Sequence, residues 1–228
     1  MTDFPFAIVG FDLDGTFVDT SGDLTAAVNH ALVEAGRPPL GVEQVKPMIG
    51  GGAKHMLEQG LAVSGGCDAV EGRRLYKLML GYYEANINNF SHMYERAAEL
   101  LDELDAMGVR YAIVTNKFES LARKLLTGLG LIERFATVIG GDTMGPGNAK
   151  PSRAPIDEMI ARLGGGRAAF VGDSIYDIMA AKNAGIASVA VSYGFLMQPV
   201  EELGADAVID GLDELVPMLR RIGAPSYP

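Results

Sequence analysis

Six short apolar runs, Phe6 to Phe11, Tyr111 to Thr115, Thr137 to Gly140, Ala168 to Gly172, Ser188 to Ser192 and Ala207 to Ile209, show no alternation of polar and apolar residues. A strand half exposed to water alternates, because successive side chains point to opposite faces; a strand covered on both faces does not. Amphipathic stretches separate the runs. In Glu95 to Met107, Ala98, Leu101, Leu104 and Met107 recur at helical spacing before Gly108 stops the helix. From about residue 110 onward, this alternation of buried strand and amphipathic helix predicts a parallel sheet wrapped by helices.

Between about Thr20 and Phe90 the alternation is missing and only helical periodicity remains. Asp23 to Ala35 carries Leu24, Ala27, Val28, Ala31, Leu32 and Ala35 on one face, with Thr20 or Ser21 as N-caps and Gly36 as the stop. Lys54 to Leu61 and Arg73 to Ala85 read as further helices, and Ser64-Gly65-Gly66 as a turn. So long a helical stretch exceeds a simple crossover. We expect an α/β fold in which residues 1–18 and 91–228 form a Rossmann-like parallel-sheet core domain and residues 19–90 a helical cap domain inserted after the first strand. Hinges then fall near Val18 to Ser21 and Asn89 to His92. His30, His55 and His92 have no partners at metal-ligand spacing and read as surface or packed positions.

The formal charge of −10, with no basic run, repels a phosphate backbone and argues against a nucleic-acid partner. No stretch has the apolar length of a membrane span or the pattern of a signal peptide, so no membrane partner is expected. Cys67 is the only cysteine, which excludes an intrachain disulfide and fits a cytoplasmic location.

In a parallel α/β sheet, ligands collect beyond the carboxyl ends of the strands. There this chain places Asp12-Leu13-Asp14-Gly15-Thr16, Thr115-Asn116-Lys117 and Gly172-Asp173-Ser174, with Asp177 one helical turn on and Lys150-Pro151 before the fourth run. Asp12, Asp14 and Asp173 brought together would repel. Either a hard divalent cation with oxygen ligands, such as Mg²⁺, or protonation of one acid relieves the repulsion, and both are useful in catalysis. Lys150 and the Thr115 hydroxyl add a cation and a donor for anionic oxygens, and Gly15 permits close backbone approach. The set suits a phosphoryl group.

In this order and spacing, Asp12-x-Asp14-Gly15-Thr16, Thr115-Asn116, Lys150-Pro151 and Gly172-Asp173-x-x-x-Asp177 resemble the motifs of the haloacid dehalogenase superfamily of phosphohydrolases, whose members commonly insert a small helical cap between the first two motifs. The resemblance implies that Asp12 is a nucleophile forming an aspartyl-phosphate, and that Asp14 is the general acid and then the base. Mg²⁺ would be held by the Asp12 and Asp173 side chains and the Asp14 backbone carbonyl. Asp177 would orient water or Lys150 from behind, and Thr115, Asn116 and Lys150 would hold phosphoryl oxygens. Thr16 would brace the loop. Two departures stand out: Arg153 replaces one proline of a Lys-Pro-x-Pro-x-Pro run, which puts the loop shape in question, and Tyr94-Glu95-Arg96 stands where Tyr-Pro-Gly is usual.

Ile49-Gly50-Gly51-Gly52 before a helix resembles the cap loop of phosphoglycolate phosphatases, whose amides reach the far end of the substrate; the alternative is a plain glycine turn. Lys46, Lys54 and Arg73 or Arg74 are candidates for a substrate carboxylate. Tyr82-Tyr83 and Leu78-Met79-Leu80 read as packing. The resemblance implies a Mg²⁺-dependent phosphatase of a small phosphorylated metabolite, phosphoglycolate first, acting as monomer or homodimer. A phosphosugar phosphatase or a β-phosphoglucomutase-like mutase is the alternative. A 2-haloacid dehalogenase, which has no alkoxide to protonate, and a receiver-like signalling domain, whose phosphoacceptor lies on a middle strand, fit less well.

Overall fold

A computed structural model describes residues 4–224 of the chain; residues 1–3 and 225–228 of the expected core span lie outside the described residues. The elements run β1 Ile8–Phe11, β2 Val18–Asp19, α1 Ser21–Glu34, α2 Val42–Val45, α3 Ala53–Ala62, α4 Ala69–Ala85, β3 His92–Met93, α5 Ala97–Ala106, β4 Arg110–Val114, α6 Glu119–Gly128, β5 Val138–Ile139, α7 Ala154–Arg162, β6 Ala168–Gly172, α8 Ile175–Ala184, β7 Ala187–Val191, β8 Ala207–Ile209 and α9 Leu215–Gly223. All six apolar runs are strands. They form one parallel sheet in the order β5-β4-β1-β6-β7-β8.

The missing polar alternation has its cause in this sheet. Along β6, Ala168 and Phe170 pack in the hydrophobic layer with Ile156 and Met159 of α7, while Ala169 and Val171 join the opposite layer. Both faces are covered, so both sets of side chains are apolar. β1 is the switch point of the topology: the next sheet strand, β4, pairs on one side of it and β6 on the other. Phe11 is level with Ile113 and with Val171, so residues just past the ends of these three strands converge.

Helices α1 to α4 follow β2, with α1 packed against α2, α3 and α4. The helix starts differ from those read from periodicity by one to four residues, most at α4. α4 begins at Ala69, earlier than Arg73, because Asp68 caps it by accepting from the Val70 and Glu71 amides; Gly72 in the first turn blurs the signal. Thr20 stands at the N-cap of α1 but does not cap it, since its hydroxyl donates to Asp14. Among the described residues, no helix is long and apolar enough to cross a membrane.

The stretches expected to hold the hinges contain two short strands not foreseen from sequence, which form an antiparallel ribbon with Val18 paired to Met93 and Asp19 to His92. Beside it the buried Asp23 carboxylate accepts from the amides of Asn89, Phe90 and Ser91 and from the Ser91 hydroxyl. Asp23→Ala would strand the two buried donors of Ser91 and the part-buried amides of Asn89 and Phe90. It is expected to cost about 2–4 kcal/mol, read as a lower urea midpoint at unchanged slope. Of the departures noted above, Arg96 is the one non-glycine described residue at positive φ, 66°, where a glycine would be unstrained. Arg153 turns aside to pair with Asp157 and leaves Lys150 buried.

Candidate active site

Asp12 follows β1, Thr115 follows β4 and Asp173 follows β6, so three adjacent strands deliver them to one place. Asp12, Asp173 and Asp177 can each present a carboxylate oxygen within 4.8 Å of the others, and all three are buried. Glycines make that approach possible. A Cβ on Gly15, where φ is +83°, would lie 2.3 Å from Asp173 Oδ2, and one on Gly172 would lie 2.3 Å from Asp177 Cβ.

Lys150 reaches in from the loop before α7 and donates to Asp12 Oδ1 at 2.7 Å, Asp177 Oδ1 at 2.5 Å and the Val114 carbonyl at 2.7 Å. Asp177 accepts on Oδ2 from the Ser174 amide and hydroxyl, so both of its oxygens are occupied. Asp173 accepts from Thr16 Oγ1 at 3.1 Å and from the Phe195 amide at 2.6 Å. The Phe195 contact was not expected from sequence. Its signal is Gly194 just past β7, where a Cβ would stand 2.2 Å from Asp173 Cβ.

Burial, with repulsion from Asp177 and Asp14, pushes the Asp12 carboxyl up to about 7 against the pull of Lys150. Burial, Asp177 and Asp12 likewise raise Asp173 well above the usual range. Burial alone would discharge Lys150, but Asp12 and Asp177 outweigh it and hold the ammonium form. The clustered carboxylates are a fit for a divalent cation, since hard oxygen ligands are what Mg²⁺ requires. A cation would have to displace the Asp12 proton below pH ~7. With Asp173 raised as well, its affinity is expected to fall at least about tenfold per unit below pH ~7, checked by calorimetric titration with MgCl₂ between pH 5.5 and 8.5.

Asp14 stands apart from that cluster. Its Oδ1 accepts from Thr20 Oγ1 at 2.6 Å and pairs with Lys117 Nζ at 2.8 Å. Lys117 is buried too and stays charged because Asp14 opposes the effect of burial. Thr115 Oγ1 accepts from the Lys117 amide, and Asn116 Nδ2 donates both to the Lys150 carbonyl and to the carbonyl of Gly50. Asn116 thus ties the glycine loop before α3 to the end of β4.

Between these groups and the helices above lies a cavity of about 60 Å³. Asp12, Asp14, Thr115, Asn116, Lys117 and Phe118 line one side; Gly50, Gly52, Ala53, Met56, Met79, Leu80 and Tyr83 are on the other. Of the residues offered for the far end of a substrate, Gly50 and Gly52 line it. Gly51 does not, and packs on His55. Lys54 does not either: it is exposed, stands 3.7 Å from Glu58 and borders a different cavity between α3 and α4. Lys46 and Arg74 are likewise taken up by neighbouring glutamates at the surface. The helical pitch of α3 turns Lys54 outward once Met56 and Leu57 face in. Tyr83, read as packing, is a cavity residue, and its buried hydroxyl has no hydrogen-bond partner among the described residues. His30 stacks on Tyr82 and His92 contacts the Phe90 carbonyl.

Residues 9–191 match the family model of haloacid dehalogenase-like hydrolases. A phosphoglycolate phosphatase of Caulobacter vibrioides is 39% identical over 206 residues, covering 89% of this chain and 86% of its own. One from Agrobacterium fabrum is 38% identical over 218 residues, covering 94% of this chain and 92% of its own. A crystal structure described as a predicted phosphoglycolate phosphatase from Haemophilus somnus superposes with a TM-score of 0.87 at 29% identity, over 95% of this chain and 99% of that one. The motifs, the sheet order and these matches agree: the chain belongs to the haloacid dehalogenase-like hydrolase family.

Proposed function

We propose that this hydrolase is a cytoplasmic, Mg²⁺-dependent phosphatase of phosphoglycolate that works through a phosphorylated Asp12, as a monomer or homodimer. The observation that carries the reading is the buried meeting of Asp12, Lys150, Asp173 and Asp177 beside a small covered cavity. The phosphoglycolate phosphatase activity for which the relatives are named supports the substrate. Bound by Asp12, Asp173 and the Asp14 carbonyl, Mg²⁺ would supply charge compensation and polarise the phosphoryl oxygens.

The chain's own residues do the rest. Lys150 engages Asp12 Oδ1, and Oδ2 carries no hydrogen bond from the described residues, which suits it to attack phosphorus. Lys117 and Thr20 both engage Asp14 Oδ1, which leaves Oδ2 to carry a proton once substrate is bound; from there Asp14 gives it to the leaving alkoxide as the ester P–O bond breaks, and then takes one from water as water attacks the phosphorylated Asp12. Lys150, the Thr115 hydroxyl and the Asn116 backbone N–H hold the equatorial oxygens, while Asp177 fixes Lys150.

We take residues 19–90 as a cap over a core of residues 1–18 and 91–228. The free volume amounts to a few waters, and a swing of the cap on the β2–β3 ribbon would make room for a phosphoester. Phosphate release from a panel of phosphomonoesters, with and without EDTA, tests the function. Highest kcat/KM on phosphoglycolate and loss of turnover with EDTA are expected. Metal-independent turnover, or an isomerised phosphosugar in place of free phosphate, would overturn it.

A further inference from the structure

We propose that Lys117, with Tyr83 across the cavity, is the subsite for a second anionic group on the substrate, a carboxylate borne a carbon or so from the phosphoester oxygen. This rests on the phosphatase reading above and specifies which phosphoesters it takes. Lys117 is the only cationic side chain lining the cavity among the described residues. The remaining wall offers Leu24, Ala27, Met56, Met79 and Leu121, none of which can compensate a charge. Other cationic residues of the helical segment lie off the cavity and are engaged elsewhere: Lys46 with Glu43, Lys54 toward Glu58, and Arg37 with carbonyls of Leu61 and Gly66.

Lys117 also bears a burden that structure alone does not explain. Its side chain is 6% exposed, and its one ion-pair partner, Asp14 at 2.8 Å, is shared with Thr20. A buried ion pair is often no more stable than apolar packing of the same volume, and Met56, Met79 and Leu80 stand close by to supply such packing. Its ammonium lies 4.7 Å from the centroid of the Tyr83 ring, and the Tyr83 hydroxyl, buried and unpartnered, is a donor waiting for an acceptor. Because Lys117 touches Asp14, an anion that it holds is within a short arm of the leaving oxygen that Asp14 serves. A longer arm would overshoot. The arrangement selects short phosphorylated hydroxy acids over neutral phosphoesters.

Binding of two non-hydrolysable phosphonates to the Mg²⁺-loaded protein reads this subsite without turnover. 3-Phosphonopropionate carries the carboxylate and propylphosphonate lacks it. By calorimetry the wild type is expected to favour the carboxylate-bearing probe about 100-fold, Lys117→Met to level the two within about 3-fold, and Tyr83→Phe to cut the preference about 10-fold. A preference kept in both variants overturns the inference. If Lys117→Met does not fold, Tyr83→Phe, which loses a single hydroxyl, decides in the same way. Equal binding of the two probes by a wild type that does hydrolyse phosphoglycolate would sink the subsite alone. A strong preference without phosphoglycolate turnover would keep the subsite and reject the substrate.

Discussion

Asp12→Asn is expected to abolish phosphatase turnover, by a factor on the order of 10⁴ or more, while leaving the metal-free protein folded and at least as stable as the wild type. The two outcomes have one cause. Asp12 is buried beside Asp177 and near Asp14, and burial and these neighbours push its carboxyl up to about 7, so its charged form is a strain on the folded state at neutral pH. An amide of the same shape removes that charge, and Lys150 keeps Asp177 and the Val114 carbonyl as partners. What the amide cannot do is attack phosphorus or give an anionic oxygen to a cation. Reduced activity with an unchanged or raised melting temperature would separate a lost nucleophile from a damaged fold. A variant with near wild-type turnover would remove Asp12 from the mechanism.

Lys150→Met is expected to move stability the other way. Among the described residues Lys150 is the sole cation paired with Asp12 and Asp177, and its side chain is 2% exposed. Without it, buried carboxylates within 4.8 Å of one another have only Mg²⁺ to compensate them. Breaking a buried pair from one side costs about 3–5 kcal/mol, far more than an exposed pair. The variant should melt well below the wild type in EDTA and regain part of the loss when Mg²⁺ is added. Turnover should stay at least about 100-fold down even with saturating Mg²⁺, because the donor to the transferring phosphoryl oxygens is gone. Equal melting temperatures for wild type and variant in EDTA would contradict this account of the charge balance.

The opposite signs at Asp12 and Lys150 follow from contacts that link distant parts of the chain, and this explains what could be read in advance. The six sheet strands were legible because coverage on both faces removes polar alternation, which is a local mark. Asp12, Thr115 and Asp173 could be brought together because they directly follow such strands. β2 and β3 are two residues each, too short for any period to register. Lys117 was visible beside Asn116, but its partner Asp14 follows another strand, and nothing near it in sequence assigns the pairing. Tyr83 follows Met79 at helical spacing and so reads as core; only the fold shows that this part of α4 faces the cavity. Thr20 looked like a helix cap because hydroxyls usually cap, whereas here Asp14 takes its hydrogen bond. Lys54 was offered for the substrate on charge alone, and the rotation of α3 turns it away.

The central claim is that the phosphoryl group passes through the carboxylate of Asp12. Rapid acid quench of a single turnover with radiolabelled phosphoglycolate, followed by borohydride reduction and peptide mapping, tests it most directly. The account predicts label on the protein before free phosphate appears, reduction of residue 12 to homoserine, and neither signal in Asp12→Asn. Phosphate released within that turnover without label on the protein, or homoserine at a different aspartate, would contradict it.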